Sequence, residues 1–336
     1  MNPIFDRRWI GSHGIGRFAK EIAARLPHEH LVATGKPMSP LDPFRLSFLL
    51  LHSKKWLLSP GYNAPLFSKT PYVFSIHDLN HIDRPDNSSL LKRLYYNFIL
   101  KRLCRRARAV LTVSEFSKTR ISQWSGVNPA KIFNVGNGVS ENFSPEGRRH
   151  EVDGGYLLCV SNRRGHKNET GMIRAFARAH LPAKTKLLFT GEPNPTLAEL
   201  ANSLNISNRI EFTGKVSEDD LAALYRSALF LVFPSFYEGF GLPIIEAFAS
   251  GTPVITSNVT SMPEIAGDAA LLVDPNNIDE IAAAIDKLHD SAELRAELVQ
   301  RGFKRVANFT WDAVAARVKA AVKAVDTDPS HPLNWN

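Results

Sequence analysis

Residues 235–257 have the sequence Ser235-Phe-Tyr-Glu-Gly-Phe-Gly-Leu-Pro-Ile-Ile-Glu-Ala-Phe-Ala-Ser-Gly-Thr-Pro-Val-Ile-Thr-Ser257, which predicts a turn, a helix and a strand in that order. The apolar run over 228–234 just before it is typical of a buried parallel strand. Pro243 suits the first turn of the helix, where its missing N–H costs nothing, and Gly251 marks the helix end. The helix start therefore faces the carboxyl end of a strand, where free N–H groups and the helix dipole favour an anion.

Two carboxylates stand on either side of the glycine turn 239–241. Glu238 precedes the turn, and Glu246 follows about one turn into the helix, so the two side chains do not share one helical face. A phosphate cradle with two separately placed acids suits a ligand that carries both phosphate and hydroxyl groups. A nucleotide-sugar has both, so we expect this segment to bind one.

The same segment resembles the Glu-x7-Glu motif of retaining glycosyltransferases with the GT-B fold, and it is most similar to glycosyltransferase family 4. Further landmarks of that family follow in the family's order along nearly the whole chain, at 14–17, 76–79, 137–139, 262–275 and 309–311. The resemblance implies two Rossmann-like, doubly wound α/β domains with a cleft between them. It also implies a transferase that uses a nucleotide-sugar donor.

The chain has 336 residues, which is long for one domain and sufficient for two. Strand and helix signals alternate, and this alternation favours an α/β architecture with parallel sheets. The polar, Pro- and Gly-bearing segment 142–154 predicts a linker. We therefore expect an acceptor-binding domain over 1–150 and a donor-binding domain over 151–310. By the resemblance, a helix over 311–326 crosses back to the N-terminal domain, and we expect no regular structure from Ser330 onward.

Composition indicates the cellular setting. Cys104 and Cys159 lie far apart, so they predict neither a disulfide framework nor a metal site, and a reducing cytoplasm is the simplest environment. The first residues lack the apolar core of a signal peptide, and no run approaches the roughly 20 apolar residues of a membrane span. We expect a cytoplasmic protein, either free or peripheral on the inner face of the cell membrane.

Positive charge is concentrated in the first half of the chain. Residues 1–150 contain 23 Lys and Arg against 10 Asp and Glu, a net of +13, whereas the remainder holds 18 against 23, a net of −5. A long helix predicted over 90–108 carries many of these basic residues. Its basic face is either an ordinary solvated surface or a contact for anionic lipid, and the sequence leaves both open. Nucleic acid is not expected as a partner, because no recognition motif accompanies the charge.

The resemblance implies a role for each group near the glycine turn. Glu246 is expected to accept hydrogen bonds from the ribose hydroxyls of the donor, and Glu238 to hydrogen-bond the hydroxyls of the donor sugar. The backbone N–H groups of Phe240, Gly241 and Leu242 are expected to meet sugar and phosphate oxygens. Preorganised donors of this kind stabilise charge as it grows on a leaving diphosphate.

Segment 161–168 follows the first strand of the second half and resembles the family's diphosphate-binding loop. By that match, Lys167 binds the donor diphosphate. Many family members have an arginine where this chain has Asn162. A second phosphate contact therefore requires a substitute, and Arg163 and Arg164 are the candidates.

Two further candidate residues lie in the first half. By resemblance, Gly16 belongs to a glycine loop whose backbone approaches the donor phosphate and the acceptor. His77 follows a strand predicted over 71–76, and at the carboxyl end of a parallel strand we expect it to contact the donor sugar or the acceptor. Asp78 either orients His77 or caps the following turn.

These residues predict a retaining glycosyltransferase that moves a hexose from a nucleotide diphosphate sugar to a growing oligosaccharide or lipid-linked glycan of the cell surface. The His-Asp-Leu and Lys-Asn sequences resemble those of enzymes that use GDP-mannose, so mannose is favoured. No metal is expected, because the helix start, backbone N–H groups and Lys167 can neutralise the diphosphate. The alternatives are a nucleotide-sugar epimerase of the same fold and a non-catalytic carbohydrate- or nucleotide-binding protein.

Overall fold

A computed structural model describes residues 2–11, 13–84, 88–326 and 333 of the chain. The chain divides into two compact units. The first combines Met1–Gly138 with Thr310–Asn336, and the second is Val139–Phe309. Each unit is built around one six-stranded sheet.

The strands of the first unit are β1 (Ile4–Phe5), β2 (Glu29–His30), β3 (Leu57–Ser59), β4 (Tyr72–Ser75), β5 (Ala109–Thr112) and β6 (Ile132–Asn134). They pair in parallel in the order β2-β1-β3-β4-β5-β6. The helices that precede the second unit are α1 (Gly14–Arg25), α2 (Asp42–Leu49), α3 (Asn80–Asp83), α4 (Leu90–Tyr95), α5 (Lys101–Arg106) and α6 (Glu115–Ser125).

The strands of the second unit are β7 (Tyr156–Cys159), β8 (Lys186–Phe189), β9 (Ile210–Phe212), β10 (Phe230–Phe233), β11 (Val254–Ser257) and β12 (Leu271–Val273). Its helices are α7 (Glu169–Arg178), α8 (Pro195–Ser203), α9 (Glu218–Ser227), α10 (Leu242–Ala249), α11 (Met262–Ala266), α12 (Ile278–Asp290) and α13 (Ala292–Val306). The strands are parallel in the order β12-β11-β10-β7-β8-β9. The strand order reverses between β7 and β10, and such a switch point is where doubly wound sheets bind ligands.

Buried apolar side chains lie on both faces of the first sheet. Successive residues of a strand point to opposite sides of the sheet. Val73 packs with Trp311 in one buried cluster. Its neighbour Phe74 packs with Leu103 in another. The predicted α/β class with parallel sheets is confirmed.

Helix α14 (Trp311–Val325) belongs to the first unit although it follows the second in sequence. Arg25 Nε lies 2.7 Å from a carboxylate oxygen of Asp312. Arg317 Nε donates to the carbonyl oxygen of Val135 at 2.8 Å. These bonds join both ends of the unit's sequence into one structure.

Segment 142–154, predicted as a linker, lies within the second unit. The guanidinium of Arg226 on α9 donates to the carbonyl oxygens of Asn142 at 2.6 Å, Ser144 at 2.7 Å and Arg148 at 3.1 Å. Three charge-assisted bonds from one side chain hold the first part of this polar segment on the unit.

The helix predicted over 90–108 is not regular. A π-helical turn, Tyr96–Leu100, separates α4 from α5. Among the described residues, no helix is both long enough and apolar enough to cross a bilayer. The tail predicted from Ser330 lies outside the described residues, apart from Leu333.

Candidate functional site

Charged groups from two loops meet at the switch point of the second sheet. Lys167 follows β7 and Glu238 follows β10, and Lys167 Nζ lies 2.7 Å from Glu238 Oε1. Both side chains are 13% exposed. Nζ also lies 5.0 Å from the ring centroid of Phe233. Because a carboxylate and an aromatic face both attract a cation, they hold the ammonium group at the carboxyl edge of the sheet.

The glycine turn forms the start of α10. Gly241 caps this helix with a φ of 98°, in the left-handed region that favours glycine. Pro243 occupies the first turn and brings no N–H. In the part of the chain that the structure describes, the N–H groups of Phe240, Gly241 and Leu242 have no protein acceptor. The helix start thus offers hydrogen-bond donors and a positive dipole end beside the loop of Glu238.

Glu246 is buried on α10, with 4% of the residue exposed. Its Oε2 accepts a hydrogen bond from the hydroxyl of Tyr225 at 3.0 Å. Tyr225 is itself fully buried on α9, and its ring packs edge-on against Phe143. A buried carboxylate depends on such donors, so Tyr225 helps to fix the position of Glu246.

Arg163 makes structural contacts at the end of β8. Its backbone is left-handed, with a φ of 62°. Its guanidinium donates to the carbonyl oxygens of Thr190 at 2.8 Å and Glu192 at 2.9 Å, and to the carboxylate of Glu169. Arg164 is exposed. These bonds occupy Arg163 within the unit, and phosphate contacts by either arginine stay predictions.

Asn168 links three strand ends. Its Nδ2 donates to the carbonyl oxygen of Pro234 at 3.0 Å and to that of Pro275 at 2.7 Å. Pro234 follows β10 and Pro275 follows β12, while Asn168 itself belongs to the segment after β7. Asn168 thereby fixes the backbone next to Lys167. Asn162, at the position where many family members have arginine, is exposed.

His77 follows β4 in the first unit and is half-buried. Its Nε2 donates to the carbonyl oxygen of Pro60 at 3.1 Å, and its ring packs edge-on against Phe18 at 5.0 Å between centroids. Burial lowers the pKa of His77 to about 4, and the nearby His13 acts in the same direction. The imidazole is therefore neutral at pH 7, and because Nε2 carries the proton, Nδ1 is left as an acceptor.

Gly16 lies in the first turn of α1, close to the backbone of Gly11. A Cβ at position 16 would lie 2.5 Å from the backbone N and O of Gly11. His13 caps the helix through Nδ1, which accepts the N–H of Gly16 at 3.0 Å. Close backbone packing therefore explains the glycine, and an approach to a ligand stays a prediction.

The structure groups six predicted residues on the loops and helix that follow β7 and β10: Lys167, Glu238, Phe240, Gly241, Leu242 and Glu246. Arg163 shares the loop of Lys167 but bonds elsewhere, while Gly16 and His77 belong to the first unit. Tyr225 bonds Glu246, Asn168 fixes the backbone beside Lys167, and Thr260 and Ser261 bond the backbone of Glu238. None of these four residues was predicted. For the last two, the signal in the sequence is the hydroxyl-rich run 256–261, which begins at the last residue of the strand predicted over 253–256.

The basic helix differs from its prediction. Arg105 Nε donates to the carbonyl oxygen of Ser125 at 2.9 Å, and Arg106 Nη2 donates to that of Ser68 at 3.0 Å. These two residues hold the end of α6 and the loop of Ser68, so part of the basic face makes structural contacts within the unit.

The same helical stretch exposes an apolar patch formed by Leu90, Leu91, Leu94 and Phe98. The spacing of Leu90, Leu91 and Leu94 places them on one side of α4, and Phe98 lies in the π-helical turn that follows. Among the described residues, 13 large apolar side chains are exposed, and 12 of them belong to the first unit. Leu272 is the exception in the second unit. Contiguous exposed apolar side chains, such as those of this patch, are a general feature of interaction surfaces.

Two family models match the chain. Residues 41–143 match the model described as Glycosyltransferase Family 4, and residues 141–305 match Glycosyl transferases group 1. The two matches together cover most of both units.

The curated proteins that are similar in sequence include two mannosyltransferases. The chain is 30% identical over 300 residues to the O-antigen chain mannosyltransferase B of Escherichia coli, a match that covers 84% of this chain and 78% of that protein. It is 34% identical over 239 residues to the MMP alpha-(1->4)-mannosyltransferase of Mycolicibacterium hassiacum, with 68% and 58% covered.

Among solved structures, HepE of Anabaena in complex with UDP matches with a TM-score of 0.77. The match covers 96% of this chain and all of that one, at 17% identity. Identity this low shows the fold alone. With the two parallel six-stranded sheets, it confirms the predicted GT-B class.

Proposed function

The chain belongs to glycosyltransferase family 4 and is a glycosyltransferase, and we propose that it transfers mannose, with retention, from GDP-mannose or another nucleotide-sugar to a growing or lipid-linked glycan. Two relatives with matching sequences are named mannosyltransferases. The observation that carries the proposal is the ion pair of Lys167 and Glu238 at the switch point, beside the start of α10.

The diphosphate of the donor has its best binding place at the start of α10. The N–H groups of Phe240, Gly241 and Leu242 and the ammonium group of Lys167 supply donors there. Lys167 has three N–H donors, so it can keep its bond to Glu238 while it contacts a phosphate oxygen. Both contacts strengthen as the bond between the sugar and the phosphate breaks.

The two acids have different tasks in this proposal. Glu238 shares its loop with the donors at the helix start, and it orients the hydroxyls of the reacting sugar. Glu246 is held by Tyr225 and accepts the ribose hydroxyls, a part of the donor that does not react. Loss of the carboxylate at the reacting sugar should lower kcat, whereas loss of the carboxylate at the ribose should raise the KM for the donor.

His77 contributes as a neutral acceptor. Because its Nε2 proton is bound to Pro60, Nδ1 can accept a hydrogen bond from a sugar hydroxyl at neutral pH. An uncharged imidazole cannot neutralise a phosphate, so its task is orientation.

The proposed reaction breaks the bond between the anomeric carbon and the phosphate oxygen and forms a bond from that carbon to an acceptor oxygen on the same face. The acceptor proton passes to the departing phosphate, which leaves as the nucleoside diphosphate. No separate general base is then required. Retention predicts that the transferred sugar keeps the anomeric configuration of the donor, which NMR of the product measures.

The proposal includes a peripheral position on the inner, anionic face of the cell membrane. The apolar patch of Leu90, Leu91, Leu94 and Phe98 supplies groups that can enter the lipid interface. The exposed Lys92 adds charge, and a basic residue near anionic lipid contributes about 1 kcal/mol. This surface suits an acceptor that carries a lipid.

A panel of nucleotide-sugars tests the function. Release of nucleoside diphosphate is measured for each donor with and without oligosaccharide acceptors, and GDP-mannose is expected to give the highest rate. Lys167→Met keeps a similar side-chain volume and removes the positive charge that is proposed to bind the donor diphosphate. Interconversion of sugars without release would indicate an epimerase. Thermal stabilisation without turnover of any donor would indicate a binding protein.

Metal independence forms part of the proposal. Lys167 and the helix start supply the positive charge that a divalent cation supplies elsewhere, so transfer is expected to persist in excess chelator. A strict requirement for magnesium or manganese would overturn this account of diphosphate binding.

A further inference from the structure

A row of hydroxyl groups at the end of β11 and on the loop that follows it holds the end of β10 and the loop that carries Glu238. The row begins at the end of β11. Thr256 Oγ1 donates to the carbonyl oxygen of Phe233 at 3.0 Å, and Ser257 Oγ donates to that of Ser235 at 2.6 Å. All four residues are buried.

The row continues beyond the strand to the backbone of Glu238 itself. Thr260 Oγ1 accepts the N–H of Glu238 at 3.3 Å. Ser261 Oγ lies 2.9 Å from the carbonyl oxygen of Glu238 and 3.0 Å from that of Phe240, and it donates to this pair. The backbone on both sides of the Glu238 side chain is therefore fixed from the next loop. We call Thr256, Ser257, Thr260 and Ser261 the hydroxyl ladder.

Thr260 has a backbone that its side chain disfavours. Its φ is 56°, a left-handed value that is uncommon for any residue with a Cβ and a genuine outlier for a β-branched one. Asparagine or glycine adopts this conformation with less strain, but neither places a hydroxyl at the same point. A strained backbone next to a reactive group persists when the surrounding bonds hold it there.

We propose that Thr260 and Ser261 are positioning residues for Glu238: they fix the backbone from which its carboxylate reaches the donor sugar. This inference rests on the proposed function for its catalytic meaning. The hydroxyl groups act through the loop and do not touch the reacting atoms. Loss of one bond should displace the carboxylate and affect the transition state more than binding of the donor.

Thr260→Val removes the hydroxyl and keeps the branched shape, and Thr260→Ser keeps the hydroxyl. Thr185→Val is the matched control, because Thr185 Oγ1 donates to the carbonyl oxygen of Gly154 at 3.2 Å before β7 and β8 begin. We expect Thr260→Val to lower kcat roughly tenfold with little change in KM, since small displacements cost this much or more. Thr260→Ser should restore most of the rate, and Thr185→Val should keep kcat while lowering Tm.

Amide hydrogen exchange of the peptide over 235–242 gives a readout that does not require activity. It should speed up in Thr260→Val and stay unchanged in Thr185→Val. Unchanged exchange in Thr260→Val overturns the inference whether or not the protein is a transferase. Faster exchange with normal kcat in an active enzyme overturns the positioning role and leaves the proposed function intact. A wild-type protein inactive on every nucleotide-sugar overturns the proposed function and the positioning role with it.

Discussion

The two units have the same six-stranded parallel plan and place their unusual features in different regions. In the second unit, the ion pair of Lys167 and Glu238, the left-handed Gly241 and the hydroxyl ladder all lie at one edge of the sheet. In the first unit, the most distinctive feature is an outer surface with exposed apolar side chains. A shared architecture therefore carries different local features, because loops and exposed faces vary while the strands preserve the fold.

The largest effect should come from the edge of the second sheet. Glu238→Gln removes the charge that pairs with Lys167 and should lower kcat by about 100-fold or more, the scale for losing one transition-state contact. Steady-state transfer measures it, with Glu199→Gln on the exposed side of α8 as the matched control. Normal turnover in Glu238→Gln would show that the reaction does not take place at this edge of the sheet.

His77 provides a comparable test in the first unit, read as stability against pH. Its pKa falls from the ordinary 6.5 to about 4 in the folded protein, so between these values the unfolded chain binds the proton and the folded one does not. The contribution of His77 to the free energy of unfolding is then fully present above about pH 6.5. It is lost as pH drops toward 4, and the loss is about 2 kcal/mol at pH 5.

Urea unfolding of wild type and His77→Asn at pH 5 and pH 8 measures this contribution. The variant should lose less stability than wild type between the two pH values, whatever its stability at pH 8. Equal losses in the two proteins would show that His77 is protonated alike in the folded and unfolded chains.

Glu246→Gln should separate nucleotide binding from turnover within the second unit. Glutamine keeps an acceptor for the buried Tyr225 hydroxyl, whereas alanine would remove that acceptor. We expect the donor KM to rise about tenfold with kcat nearly unchanged, since a hydrogen bond to a charged group contributes about 1.5 kcal/mol. A loss confined to kcat would show that the roles assigned to Glu238 and Glu246 have to be exchanged.

The smallest effect concerns the surface of the first unit. Leu91→Ser should weaken binding to anionic vesicles about fivefold, as expected for partial withdrawal of one leucine from the interface. Leu272→Ser, at the exposed leucine of the second unit, is the control and should bind like wild type. Cosedimentation with the vesicles measures the binding of both variants. Identical binding would show that the exposed leucine of the first unit contributes no more to vesicle binding than that of the second.

The sequence predicted what local pattern determines. The strands over 228–234 and 71–76 and the placement of Glu238 on a loop before a helix follow from apolar runs, glycines and prolines that are adjacent along the chain. The structure shows each of these elements within a residue or two of the predicted positions. Adjacent residues settle such elements because backbone preference and side-chain burial agree there.

Three kinds of feature could not be predicted from local sequence pattern. The strand Ile4–Phe5 is only two residues long and exists because β2 and β3 pair with it. The bond from Tyr225 to Glu246 depends on how α9 and α10 pack. The basic helix was expected to present its arginines outward, yet Arg105 and Arg106 find carbonyl acceptors in distant parts of the sequence. Each depends on partners that only the folded chain brings together.

The three bonds from Arg226 to segment 142–154 determine where the chain can be divided. A fragment that begins at 151, where composition suggests a boundary, would leave the guanidinium of Arg226 without its three carbonyl acceptors. A fragment that begins at Val139 and ends at Phe309 keeps them, together with the hydrogen bond from the Val139 N–H to the carbonyl oxygen of Phe309 at 2.9 Å. Excision, domain exchange and protease mapping should therefore treat the polar segment as part of the second unit rather than as a dispensable linker.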